Sequence, residues 1–242
     1  VLLGTIRDLQ NPYATRFELR SPNPHTNTYL VIAALYLSMI DGISYAVKNN
    51  KSEDDLLKEL SKNYGEDADY LDKNRAYRSE EEVFEYYSDE ERNKLFGIAP
   101  ETVYENLSAF KKYPEKLKVL EAGNVLNANL IESFTIAATK RWLVEINSRI
   151  LNNYAEEIRS FKMLHSIDKA LDLDVANWMK VNDLRYYIMK DSYANKSLFT
   201  RIKTAIENND LPLVSNLQIE LDSKMNELRE LYSAYSKNLL DI

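Results

Sequence analysis

A mainly α-helical protein that opens on a β-hairpin is the fold class this sequence predicts. Three observations carry that expectation. Five glycines and six prolines in 242 residues leave room for long uninterrupted helices. Residues 14–20 (Ala-Thr-Arg-Phe-Glu-Leu-Arg) alternate in the way a strand does, so Arg16, Glu18 and Arg20 share one face while Phe17 and Leu19 share the other. Towards the end, Val214, Leu217, Leu221, Met225, Leu228, Tyr232, Tyr235 and Leu239 recur at steps of three and four, nearly a heptad seam.

Taken in order, residues 1–7 read as a strand, Asn11-Pro12 as a turn, and 14–20 as the partner strand. Pro22 and Pro24 end it, because each fixes φ and lacks an amide donor. Thr26 and Asn27 are good helix caps, and the almost wholly apolar run from Tyr29 predicts a buried helix reaching about residue 48. Ser52 opens a helix through Leu56, Leu57, Leu60 and Tyr64 that stops near Gly65. Short polar helices follow at 67–73, 80–87, 89–95 and 101–110, then one from Pro114 to Ala122 closed by Gly123. A long helix is predicted over 127–164, with apolar residues at 130, 134, 138, 142, 146, 150, 154, 158 and 161 on one drifting face. Helices at 174–190, 196–207 and from 212 onward complete an antiparallel long-helix bundle or coiled-coil hairpin. Two domains are expected, 1–126 and 127–242.

The totals exclude several function classes. There are 31 basic and 38 acidic side chains, a formal charge of −7, which argues against a general nucleic-acid binder. Cysteine is absent, so disulfides and thiolate metal sites are ruled out, in keeping with a cytoplasmic setting. The apolar stretch 29–40 is too short to span a bilayer, and no membrane partner is expected. Residues 80–92 hold seven acids against one arginine and read as a solvated surface rather than a cation site. His25 and His165 read as structural or exposed. An isolated two-stranded hairpin is marginal in water, and the first residue is Val1, so the chain is expected to begin inside a larger protein.

The row Arg16, Glu18, Arg20 on one strand face can be a minor surface ion ladder contributing about 0–1 kcal/mol. It can also be a site, since a strand running into a helix start holds its side chains on rigid elements. The residues Arg16-Phe-Glu-Leu-Arg-Ser-Pro-Asn-Pro24, Asn27-Thr-Tyr-Leu30, Ala33-Ala34 and Ile40-Asp-Gly-Ile43 resemble the C-terminal part of the glutamine synthetase catalytic domain. That family reads there approximately R-x-E-x-R-x-P-D-P, then N-P-Y-L, an alanine pair and L-D-G-I. The resemblance covers residues 16–43, with further similarity over 1–13 and 114–140.

The resemblance implies an enzyme that phosphorylates glutamate with ATP and lets ammonia displace the phosphate, assembled as a homo-oligomer. It implies that Glu18 ligates Mg²⁺ or Mn²⁺, that Arg16 and Arg7 contact the nucleotide phosphates, and that Arg20 binds the substrate glutamate. Arg7 is equally well explained by surface pairing. A complete two-metal site needs more carboxylates and a histidine, and the family's glycine-rich histidine segment is missing. The tyrosine motif through which some bacterial members are adenylylated does not occur in 44–60. The chain also continues in helix beyond 140, where a typical member ends. It is therefore expected to be a C-terminal fragment of a glutamine synthetase, inactive by itself. The alternatives are a ligase using another amine and a non-catalytic helical interaction module.

Overall fold

The structure, a computed structural model, describes residues 3–6, 9–19, 22, 25–62, 71–72 and 87–239. It is mainly α-helical with an N-terminal β-hairpin, as the sequence predicts. The chain divides into two compact units, one formed by 1–99 with 113–130 and the other by 100–112 with 131–242.

In the first unit, β1 (Leu3–Ile6) pairs antiparallel with β2 (Arg16–Leu19), in a register that sets Leu3 against Leu19, Gly4 against Glu18 and Ile6 against Arg16. The link between them contains a tight turn, Pro12–Ala14, where the Asn11 side chain accepts from the Tyr13 amide at 3.2 Å. The apolar run forms α1 (Thr28–Lys48), capped by Asn27, whose Oδ1 accepts from the Leu30 amide at 3.2 Å. Helix α2 (Glu53–Leu60) returns alongside, and Glu59 accepts from the Tyr45 hydroxyl at 3.2 Å and pairs with Lys51. Ser61–Lys62 (β3) pairs parallel with Leu71–Asp72 (β4), so the end of the expected 67–73 helix is strand. Tyr64, Gly65, the remainder of 67–73, and 80–86 lie outside the described residues. The next helices are α3 (Asp89–Phe96), opened by a reciprocal Ser88–Glu91 capping box, and α5 (Pro114–Glu121). Between them in sequence comes α4 (Val103–Lys112), which belongs to the second unit. Gly123 adopts a left-handed φ of +67°, which a side chain would oppose, and this ends α5 where the sequence places the stop.

Helix α1 corrects one expectation: it is a helix, but no residue of it is buried. Tyr29, Tyr36, Ile40, Ile43 and Val47 are all more than half exposed. Hydropathy says how strongly a helix gains from being covered, not that a cover is at hand. Among the described residues, the hairpin end and α5 lie against it. With 21 residues and an 18-residue window of mean hydropathy 1.8, it is long and apolar enough to cross a membrane, by length and composition only.

Among the described residues, the hydrophobic core lies in the second unit. A long helix runs as α6 (Ala128–Glu145), a π-helical turn (Ile146–Ile150) and α7 (Leu151–Ser160). It is followed by α8 (Asp172–Met189), α9 (Leu198–Glu207) and α10 (Leu211–Asn238). In α10, Val214, Leu217, Leu221, Met225, Leu228 and Tyr235 are buried, six of the eight seam positions expected. Helix α4 is held on α10 by a buried 2.6 Å hydrogen bond between the Thr102 and Ser215 hydroxyls, and Tyr104 stacks on Trp142.

The helix directions differ from a simple antiparallel bundle. Trp142 donates to Gln218 at 2.8 Å, Tyr154 to Asp222 at 2.8 Å, and Arg229 grips Glu157 with two nitrogens at 2.6 and 2.8 Å. These pairs advance together along both helices, so α6–α7 and α10 run parallel. Helix α8 opposes them, with Asp174 beside Asn238 and Tyr187 beside Glu220. Helix α9, between α8 and α10 in sequence, packs on both.

The π-turn explains a second departure. The sequence suggests buried positions at 142, 146, 150, 154 and 158, whereas the buried residues are Trp142, Ile146, Leu151, Ala155 and Ile158. The turn absorbs one extra residue, so Leu151 and Ala155 take the inward places expected of Ile150 and Tyr154, while Ile158 keeps its own. Deleting the exposed Asn147 should therefore give a regular helix with the same core face. Its thermal midpoint is expected to match or exceed that of the parent. Deleting Glu156, inside α7, should instead rotate Ile158 out of the core by about 100° and lower the midpoint.

Candidate functional site

The site is built on β2. Its alternation puts Arg16 and Glu18 on one face and Phe17 and Leu19 on the other. Glu18 is half-buried and stands opposite Gly4, which has no side chain to cover it. Arg16 is exposed, and its Nη1 approaches the Ala14 carbonyl at 3.5 Å. Of the apolar face, Leu19 is half-buried whereas Phe17 remains 69% exposed. Leu19, Pro22, Thr26, Val31, Ala34, Leu35 and Ser38 line a cleft of about 360 Å³ between the strand end and α1. Of the strand, it is Leu19, on the face opposite Arg16 and Glu18, that reaches the cleft. Arg7 and Arg20 lie outside the described residues.

Glutamine synthetase, catalytic domain, is the family whose sequence pattern matches this chain, over residues 5–87. The match covers about the first third of the chain. That stretch contains the Arg16–Glu18 strand and α1 whole, while the similarity noted at 114–140 falls beyond it. Comparisons with curated proteins and with solved structures return no match.

Glutamine synthetases work with ATP and divalent metals, and the residues here can be tested against that requirement. A hard divalent cation takes about six oxygen ligands, and Glu18 offers one carboxylate. Among the described residues, no three histidine, aspartate or glutamate side chains group so as to hold a metal ion. Among the described residues, the donor set is too small for a complete cation site. His25 sits exposed in the turn after β2, and His165 lies in the other unit on the connection after α7. What sequence reasoning missed is the pairing of Glu18 with Gly4. The long link between the strands left the register open, and only the pairing itself discloses which residue faces the carboxylate.

Proposed function

We propose that this chain carries one strand of the active site of a glutamate–ammonia ligase, and that other parts of a complete synthetase finish the site. The observation behind this reading is the Arg16/Glu18 face, on the strand that precedes α1 within the segment that matches the family. In the reaction, the terminal phosphoryl group of ATP passes to the glutamate side chain, and ammonia then displaces phosphate to leave glutamine. Transferring phosphoryl groups need fixed cationic partners. Arg16 and Arg7 take the nucleotide side of that task, and Arg20 takes the substrate carboxylate through its planar fork. Glu18 gives one ligand to Mg²⁺ or Mn²⁺. The complete enzyme is read as a cytoplasmic homo-oligomer acting on glutamate and ammonia.

Phosphate release that depends jointly on ATP, glutamate and ammonia, measured on a complete synthetase containing this chain, tests the reading. Release with a different amine would narrow it to a relative, and none with any amine would overturn it. The 1–242 polypeptide alone is expected to hydrolyse ATP no faster than background, since positioning supplies most of the rate in phosphoryl transfer. Hydrolysis by that piece would show that the site is more complete than proposed.

A second reading is favoured by the position of the core: among the described residues, the buried side chains concentrate in the second unit, beyond the matched residues. In it, the helical unit is a binding or assembly module with no chemistry of its own. Such a module would leave ligase activity intact when the helices after α5 are removed from the complete enzyme.

A further inference from the structure

We propose that His165 and Tyr235 form a proton-sensitive latch fastening the connection between α7 and α8 to the C-terminal end of α10. Tyr235 is fully buried. Its hydroxyl oxygen accepts the Leu164 amide at 2.9 Å and the His165 amide at 3.2 Å, and lies 2.6 Å from Nδ1 of the same histidine. A phenol oxygen has two lone pairs and one proton. Both lone pairs are engaged by the amides, so the proton is the group that faces Nδ1. Nδ1 is then the acceptor, and the ring carries its own proton on Nε2.

An imidazolium ring donates from both nitrogens and accepts from neither. With Nδ1 protonated, three N–H donors would converge on one oxygen, and the buried hydroxyl would have no acceptor. The ring is half-buried, and turning it towards solvent would relieve the conflict and unlatch the connection. The latch is therefore closed with neutral histidine and opens as acid is added. Aromatic rings of Trp178 and Tyr232 surround Tyr235, with centroids at 5.4 and 6.1 Å, and the Arg185 guanidinium covers Trp178. Among the charged groups on the elements that meet here are Glu157 and Arg159 on α7, Lys162, Asp168 and Lys169 in the connection, Asp172 and Asp174 on α8, and Arg229, Glu230 and Lys237 on α10. Asp174 ties the far end of the same connection, accepting from the Leu171 amide at 3.3 Å and from Asn238 at 3.1 Å. Acidification must therefore stop above the carboxylate range to isolate the histidine.

The test uses the intact 242-residue chain, which has two histidines. Nitrogen-15 NMR near neutral pH should find the His165 ring proton on Nε2. Lowering the pH from about 7.5 to about 5.5 spans histidine while sparing most carboxylates. Over that range, protection of the Leu164 and His165 amides, corrected for intrinsic exchange, should fall about tenfold, the scale of one lost hydrogen bond. His165→Asn, whose Oδ1 can accept from Tyr235 without titrating, should keep its protection. A proton on Nδ1 near neutral pH, or equal losses in parent and variant, would overturn the latch. The ring measurement needs no variant and decides the matter if His165→Asn does not fold.

Discussion

Replacing Leu221 and Leu228 together by aspartate is expected to unfold the second unit at every protein concentration. Both side chains are fully buried on the inner face of α10, where Leu221 lies one turn before Met225 and Leu228 one turn after it. Each substitution removes a packed aliphatic group, a loss of about 2–5 kcal/mol, and adds the cost of placing a carboxylate in the core. Two such changes match or exceed the ~5–15 kcal/mol that holds a domain folded. The cooperative helical melt should vanish at micromolar and at hundredfold lower concentration alike, while Glu230→Ala on the solvent face should leave it in place. A double variant that stayed helical but lost an oligomer would show that the seam joins subunits rather than helices of one chain.

The second large effect is chemical. In a complete synthetase bearing this strand, Glu18→Ala should lower metal-dependent turnover by about 100-fold or more, the scale on which a misplacement of 1 Å is felt. Arg16→Lys keeps the charge but loses the fork, so its main effect should be a raised KM for ATP. Steady-state rates across ATP and Mg²⁺ concentrations separate the two. Wild-type behaviour in both variants would remove Arg16 and Glu18 from the site.

How much of this was legible in the sequence differs by element. The α10 seam could be read residue by residue, because a period near 3.5 survives only where one helix face is continuously covered. The Arg16/Glu18 face was legible too, since alternation belongs to the strand itself. The exposure of α1 was not: its composition records a demand for burial, and the partner meeting that demand is a matter of tertiary structure. Nor was the π-turn, since Ile150 and Leu151, and likewise Tyr154 and Ala155, are adjacent apolar pairs. Either member of each pair can face the core, and only packing against α10 selects the second. The parallel course of α6–α7 and α10 was hidden because short connections report on neighbours in sequence, not on helices separated by two others.

That parallel course bears on how the chain is made. Trp142 waits for Gln218, Glu157 for Arg229 and His165 for Tyr235, partners about seventy residues further along. During synthesis at roughly 5–20 residues per second, the long helix would spend several seconds with its apolar face uncovered before α10 emerged from the ribosome. The pairings that close the bundle are non-local, so loop closure precedes most of the gain from burial. A ribosome stalled before residue 211 would therefore present Trp142, Ile146, Leu151 and Ile158 to whatever chaperone stands nearest, and arrival of the final helix would release them.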